Sequence, residues 1–283
     1  MSEKQATTPM VSVWMITYNH EPYISQAIES ILEQKTNFEF ELVIGEDHST
    51  DKTAEIIKQF ELKHPQIIKA RYNSQNIGMI PNMIKTLEEC SGKYIALCEG
   101  DDFWTDPYKL QKQVDFIESR HNAYLVFSNR QVRNMITNQE REEKYKNRKY
   151  TVRDVIGGFV APTQTILFRN QKDLISFLKK YEHPSGDQLI SFFYSLKGSI
   201  YCLNEITAAY RITESGAWSS RKKNHDYSIY LYLNFVKKIA RNENIKSHFY
   251  YHMGLGRKVL SAFGLIDSLI KCKSVNKLNI IYS

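Results

Sequence analysis

The sequence predicts an α/β fold, a mostly parallel central sheet flanked by helices on both faces, followed by a helical extension at the C-terminal end. Strand-like apolar runs alternate with helix-period segments from Met10 to Asp102, in the order β-α-β-α-β-α-β, as parallel sheets with crossover helices require. Polar clusters follow directly on three of those strand-like runs, and sheets of this kind bind ligands beyond the carboxyl ends of their strands.

Met10-Val11-Ser12-Val13-Trp14-Met15-Ile16 is the first strand, and it breaks at Thr17-Tyr18-Asn19-His20-Glu21-Pro22. Tyr23, Ile24, Ala27, Ile28, Ile31 and Leu32 then share one face at helical spacing. A second run, Phe40-Glu41-Leu42-Val43-Ile44-Gly45, leads into Glu46-Asp47-His48-Ser49-Thr50-Asp51. Ser49 or Thr50 is expected to cap the next helix, which carries Ile56, Ile57 and Phe60. Residues 67–72 form the third strand, residues 73–78 a loop, and a helix covers about residues 81–89.

The fourth strand, Lys93-Tyr94-Ile95-Ala96-Leu97, runs into Cys98-Glu99-Gly100-Asp101-Asp102-Phe103-Trp104. Burying that much negative charge unpaired inside a strand costs many kcal/mol, so the carboxylates belong at the strand's end. Hard divalent cations such as Mg²⁺ or Mn²⁺ suit oxygen ligands on a short loop, usually completed by substrate phosphates. A solvated acidic turn is the alternative.

Taken together, Met15-Ile-Thr-Tyr-Asn-His20, Glu46-Asp-His-Ser-Thr-Asp51, Asn76-Ile-Gly78 with Asn82, and Glu99-Gly-Asp-Asp102 with Pro107 resemble the successive motifs of family 2 glycosyltransferases. The resemblance runs in order from about Val11 to Gln113. It implies the GT-A type, Rossmann-like fold and inverting transfer of a sugar from a nucleotide-diphospho-sugar to an acceptor hydroxyl. Thr17, Tyr18, Asn19 and Glu21 of the first loop then belong to the nucleotide-sugar site, with Tyr18 stacking on the base. Asp47 matches the acid that accepts from a pyrimidine imide, which favours a UDP-sugar; its alternative is a carboxylate placed at a helix N-terminus by the macrodipole. Asn76 and Asn82 match positions near the ribose and sugar, or else serve the turn and the helix start. Glu99, Asp101 and Asp102 match Asp-X-Asp-Asp with Glu in first place. The resemblance implies Asp101 for ribose or metal, Asp102 for metal and Glu99 as the weakest ligand, holding Mn²⁺ or Mg²⁺.

A base must come from outside the acidic loop. Asp187, in Ser185-Gly186-Asp187-Gln188, opens a helix pattern with Leu189, Ile190, Phe193, Tyr194 and Leu196. The family places an acid before such a helix at the anomeric carbon, where it would take the acceptor's proton; plain capping is the alternative. Glu182 and Glu214 are the next candidates. The segment Tyr210-Arg211-Ile212-Thr213 resembles the one that closes these sites, with Thr213 where many relatives carry a histidine. Arg211, or Arg221-Lys222-Lys223, is read as a diphosphate clamp.

At 283 residues and 42% hydrophobic content the chain can bury one sizeable core and a small appendage. Residues 1–9 are read as a disordered N-terminus and 10–222 as the catalytic domain, with 10–113 the nucleotide-sugar half and 114–222 the acceptor half. Residues 223–283 form the basic helical extension, and 138–149 a solvated loop or helix face. Cys90, Cys98, Cys202 and Cys272 show neither metal spacing nor a disulfide framework, so they read as reduced core thiols of a cytoplasmic protein. No run approaches the ~20 apolar residues of a spanning helix.

Residues 220–283 carry 12 Lys and Arg against 3 Asp and Glu, a local balance of +9 against +7 for the whole chain, so the preceding part stands at −2. Tyr227, Tyr230, Leu231, Phe235 and Ile239 make one helical stripe, and Phe249, Met253, Leu260, Phe263, Ile266 and Ile270 another. Basic amphipathic helices suit the inner face of an anionic membrane and a glycan or lipid-linked acceptor, as in surface polysaccharide synthesis; packing on the protein is the alternative. No nucleic-acid partner is expected. The competing reading of the whole is a catalytically silent binder of nucleotide sugar or glycan. Retention of Asp101, Asp102 and Asp187 together favours the enzyme.

Overall fold

A computed structural model of the protein describes residues 8–181 and 185–214. The readings made for Glu182, Arg221-Lys222-Lys223, Cys272 and the two apolar stripes lie outside the described residues. The chain divides into two units, one made of Met1–Val152 and Val160–Thr213, the other taking in Arg153–Phe159. The first carries the sheet and the site.

Four parallel strands, β1 (Val11–Thr17), β2 (Phe40–Glu46), β3 (Ile68–Tyr72) and β4 (Tyr94–Leu97), stand in the order β3-β2-β1-β4. Helices α1 (Ile24–Leu32), α2 (Thr53–Lys63) and α3 (Met79–Glu88) make the crossovers. Because β1 is central and covered on both faces, Val11, Ser12, Val13, Trp14 and Met15 are all buried, which explains a continuous apolar run instead of an alternating one. The chain moves from β1 outward to β2 and β3, then returns to the far side of β1 as β4. That reversal opens a crevice between the carboxyl ends of β1 and β4, so the loop after Thr17 and the acidic loop after Leu97 meet there.

The expected helix-flanked α/β sheet is found, with the parallel character concentrated in this first half, while the expected helical extension lies outside the described residues. Beyond it follow β5 (Phe103–Trp104), α4 (Lys109–Glu118), β6 (Ala123–Asn134), β7 (Gln139–Glu143), β8 (Lys149–Tyr150), the short α5 (Val152–Ile156), β9 (Leu167–Arg169), α6 (Leu174–Lys180), α7 (Gly186–Lys197) and β10 (Ser199–Ile212). Strand β9 lies antiparallel to both β4 and β6; β10 runs parallel to β6 and antiparallel to β5, giving a mixed sheet of ten strands among the described residues. Register shifts between Leu203 and Ala208 break the two-residue period of β10 and hide it from a reading by alternation.

Three local expectations are corrected. Residues 138–149 contain strands β7 and β8, not a loop or helix face; β7 is the charged run Gln-Glu-Arg-Glu-Glu, paired along β6 with its side chains largely in water. The start of α2 is served by Asp51, whose Oδ1 accepts the Thr53 N–H at 2.9 Å. Ser49 and Thr50 turn away to bond Asn19. Helix α3 begins at Met79, so Pro81 sits in the first turn, where a missing N–H costs nothing.

Gly92 sets the start of β4 against β1. Its N–H donates to Ser12 Oγ at 2.8 Å, and a Cβ there would press on the Ser12 backbone nitrogen and stand 2.8 Å from the Val11 carbonyl carbon. Neither backbone atom can move without shifting the central strand. Gly92→Ala is expected to destabilise the fold by on the order of 1–3 kcal/mol, read as a lower urea midpoint at unchanged slope.

Candidate active site

Glu99, Asp101 and Asp102 come together at the end of β4, with ligand oxygens all within 4.8 Å of one another. Asp102 is 1% exposed. Its Oδ1 accepts the backbone N–H of Arg211 at 2.9 Å, while its Oδ2 is buried with no hydrogen-bond partner among the described residues. Gly100 lets the loop close on the first strand's end. Its N–H donates to the Ile16 carbonyl at 3.1 Å, and a Cβ there would lie 2.5 Å from Thr17 Oγ1 and 2.8 Å from His20 Nδ1.

Arg211 fastens this loop, a role the sequence reading missed. Its guanidinium donates to the Asp101 carbonyl at 2.7 Å and to Gln26 of α1. It lies 4.3 Å from the Phe103 ring centroid and 5.2 Å from that of Tyr23. At 5% exposure the head is held under the acidic loop, a geometry that does not support the expected diphosphate clamp. Gln26 and Arg211 stand 185 positions apart, and no local sequence signal joins them.

The loop after β1 lies beside the acidic loop. Tyr18 is 41% exposed, leaving a ring face open at the strand end, whereas Thr17 is buried. Asn19 takes the left-handed conformation, φ 56°, which asparagine tolerates. Its N–H donates to Ser49 Oγ at 2.9 Å and its Oδ1 accepts the Thr50 N–H at 2.8 Å. Glu21 Oε2 accepts the Lys52 N–H at 3.0 Å. These bonds lock the first loop to the loop after β2.

The acids after β2 are internal anchors. Glu46 accepts the N–H groups of His48 and Ser49 at 3.1 and 2.8 Å. Asp47, 3% exposed, accepts from Asn73 Nδ2 at 2.8 Å and from the Ile77 and Gly78 N–H groups, both at 2.9 Å. It thus gathers residues 73–78 around the expected base pocket. Asn76 Oδ1 also accepts the Gly78 N–H, at 3.0 Å. Asn82 is buried, donating to the Gly45 carbonyl at 2.8 Å and accepting from Arg71 at 2.7 Å, which ties α3 to β2 and β3. Asp187 sits in the first turn of α7, two residues after the cap Ser185, and close enough to Glu99 to repel it.

Burial pushes the Glu99 carboxyl up to about 8, with Asp101 and Asp187 adding like-charge repulsion. Burial likewise holds Asp102 well above the usual carboxylate range, aided by Asp101 and Glu99, while the Arg211 N–H works the other way. An ionised pair this close repels by about 3 kcal/mol at an effective dielectric of about 20, more than one backbone N–H returns. Among the described residues the donor set is all oxygen, crowded and short of positive charge, and one buried oxygen has no partner. It fits a hard divalent cation.

A helix-flanked sheet with this acidic rim beyond its switch point is a fold of the GT-A type. The same fold is seen in Staphylococcus aureus TarS 1–349 in complex with UDP, TM-score 0.58 at 19% identity over 80% of this chain and 65% of that one. It recurs in the mannosyltransferase PcManGT from Pyrobaculum calidifontis in complex with GDP-Man and Mn²⁺, TM-score 0.60 at 15% identity over 82% and 65%. The family model for glycosyl transferase family 2 matches residues 12–174, more than half of the chain, and the chain belongs to that family. It is 31% identical over 230 residues to an uncharacterised glycosyltransferase of Methanocaldococcus jannaschii, covering 78% of each. It is 30% identical over 218 residues to an uncharacterised protein of Mycobacterium tuberculosis, covering 74% of this chain but only 61% of that relative's length.

The raised carboxyls set a pH dependence. Without metal, the folded state holds protons that the unfolded state releases, so stability falls as pH rises from the ordinary carboxylate value of 4.5 toward about 8. Each such proton contributes up to about 1.4 kcal/mol per pH unit. In chelator, the urea midpoint is expected to drop between pH 5 and 8, with Glu99→Gln flattening the slope and Mn²⁺ restoring stability at pH 8.

Proposed function

We propose that the protein is an inverting, divalent-cation-dependent transferase that moves a sugar from a uridine diphosphate donor to an acceptor hydroxyl in surface polysaccharide or lipid-linked glycan synthesis. The observation that carries this reading is the carboxylate trio within 4.8 Å, with a fourth acid, Asp187, near enough on a separate helix to repel Glu99. TarS supports a uridine donor through its complexes with UDP and UDP-GlcNAc, and PcManGT keeps a guanosine donor as the competitor. A teichuronic acid biosynthesis glycosyltransferase of Bacillus subtilis, 36% identical over 116 residues that make up 41% of this chain and 45% of that one, supports the polysaccharide setting.

In this reading Tyr18 offers its open ring face to the base, and the loop gathered by Asp47 borders the base's polar edge. Asp101, Asp102 through Oδ2 and, less directly, Glu99 would hold Mn²⁺ or Mg²⁺. When bound, the cation offsets negative charge on the departing diphosphate. Asp187 accepts the acceptor's hydroxyl proton as that oxygen bonds to the anomeric carbon. The bond to the diphosphate breaks on the opposite side, inverting the centre and releasing the nucleoside diphosphate. A helix N-terminus favours the carboxylate form of Asp187 and keeps it ready as a base.

Two measurements test the proposal. Asp187→Asn is expected to lower turnover by on the order of 10² to 10⁴ while leaving thermal stability and UDP binding near wild type, because a base contributes mainly in the transition state. Transfer at nearly the normal rate would place the base elsewhere, and absence of transfer from every donor by the wild type would favour the silent binder. In calorimetry, Mn²⁺ is expected to strengthen UDP binding and Asp102→Asn to remove that gain; tighter binding of GDP than of UDP would overturn the uridine assignment alone.

A further inference from the structure

His20 lies in the first-loop motif, and nothing above gives its side chain a task. Its backbone is fully engaged: the N–H donates to Thr53 Oγ1 at 2.8 Å, and the carbonyl accepts from Tyr23 and Ile24, both at 2.9 Å. Those bonds seat the start of α1 and survive a change of side chain. The ring does something separate. Nδ1 is 3.1 Å from Thr17 Oγ1, and Nε2 is 3.9 Å from Asp101 Oδ2, with the two side chains 22% and 18% exposed.

We infer that His20 is a positioning residue for Asp101, turning the Asp101 carboxylate toward the metal held by the acidic loop. The chemistry follows from the two ring nitrogens. With the Thr17 hydroxyl donating to Nδ1, Nε2 carries the hydrogen and points it at Oδ2 of Asp101. A donor on one carboxylate oxygen fixes the plane of the group and leaves the other oxygen for a cation, the arrangement by which partners outside the ligand set orient metal ligands. The gap of 3.9 Å is an ion-pair distance longer than a hydrogen bond, and in this proposal it shortens when the carboxylate turns to the cation. Gly100 is part of the device, since any Cβ there would strike both Thr17 Oγ1 and His20 Nδ1. The partners come from the ends of β1 and β4, so the contact spans the crevice where the sheet reverses direction.

This inference rests on the acidic loop holding a divalent cation, and the test separates the two. Mn²⁺ binding is measured directly, by the loss of the free-ion electron paramagnetic resonance signal, on the full chain with saturating UDP. UDP affinity without metal is measured alongside. His20→Leu is expected to weaken Mn²⁺ binding by about 10- to 100-fold, the usual loss when such a partner is removed, with metal-free UDP affinity within twofold of wild type. His20→Gln, whose amide nitrogen falls near the position of Nε2, is expected to recover part of the loss. Thr17→Val, which frees the ring without touching the histidine, is expected to reproduce a fraction of it and to add nothing in combination with His20→Leu. Mn²⁺ affinity within twofold of wild type in a folded His20→Leu protein would overturn the role of His20 alone. An equal loss of metal-free UDP affinity would overturn it in favour of a direct nucleotide contact. A wild-type protein that takes up no Mn²⁺ would overturn the metal reading itself.

Discussion

Three carboxylates with ligand oxygens within 4.8 Å of one another repel, and the surrounding structure answers that repulsion. Asp102 is steadied by a backbone N–H from the end of β10, the last described strand of the sheet. The guanidinium of the same residue, Arg211, grips the Asp101 carbonyl and reaches Gln26 on α1. One arginine thus joins the first helix, the acidic loop and the last described strand of the sheet. It supplies directed donors while its charge lies between the rings of Phe103 and Tyr23. The remaining imbalance is electrostatic, and it makes the loop receptive to a cation.

The neighbouring acids show how similar side chains serve different ends. Glu46 and Asp47 are as buried as Asp102, yet each accepts several backbone or amide donors. A carboxylate so supplied with donors has its acceptor sites filled by the protein itself. Its work is mechanical, drawing the loops after β2 and β3 into a single wall beside Tyr18.

The nucleotide half was legible because its signals are local. Continuous apolar runs and helix-period segments follow one another in turn from Val11 to Leu97, and each polar cluster directly follows a strand, so Tyr18, Asp47, Asp101 and Asp102 could be placed on one rim before any coordinates. What stayed hidden depends on partners distant in the chain or on irregular strands. Arg211 reads as a diphosphate clamp until Gln26 and Asp102 are seen beside it. Strand β10 is disguised by its register shifts and β7 by its charge, while the contact of His20 with Asp101 exists only because β1 and β4 are neighbours in the sheet.

The charge on β7 has a consequence for how molecules of this protein meet one another. A ten-stranded sheet ends in rows of open backbone donors and acceptors that invite pairing with a second chain. Here β3, at one end of the strand order, is five residues long and interrupted by Lys69 and Arg71, and β5, at the other, is two residues long. Strand β7 borders β6 with the run Gln-Glu-Arg-Glu-Glu turned to water. Any chain adding to β7 would have to lay its own strand along alternating charges and strip water from them. The same residues that make β7 look unlike a strand guard the sheet against growing from one copy into the next.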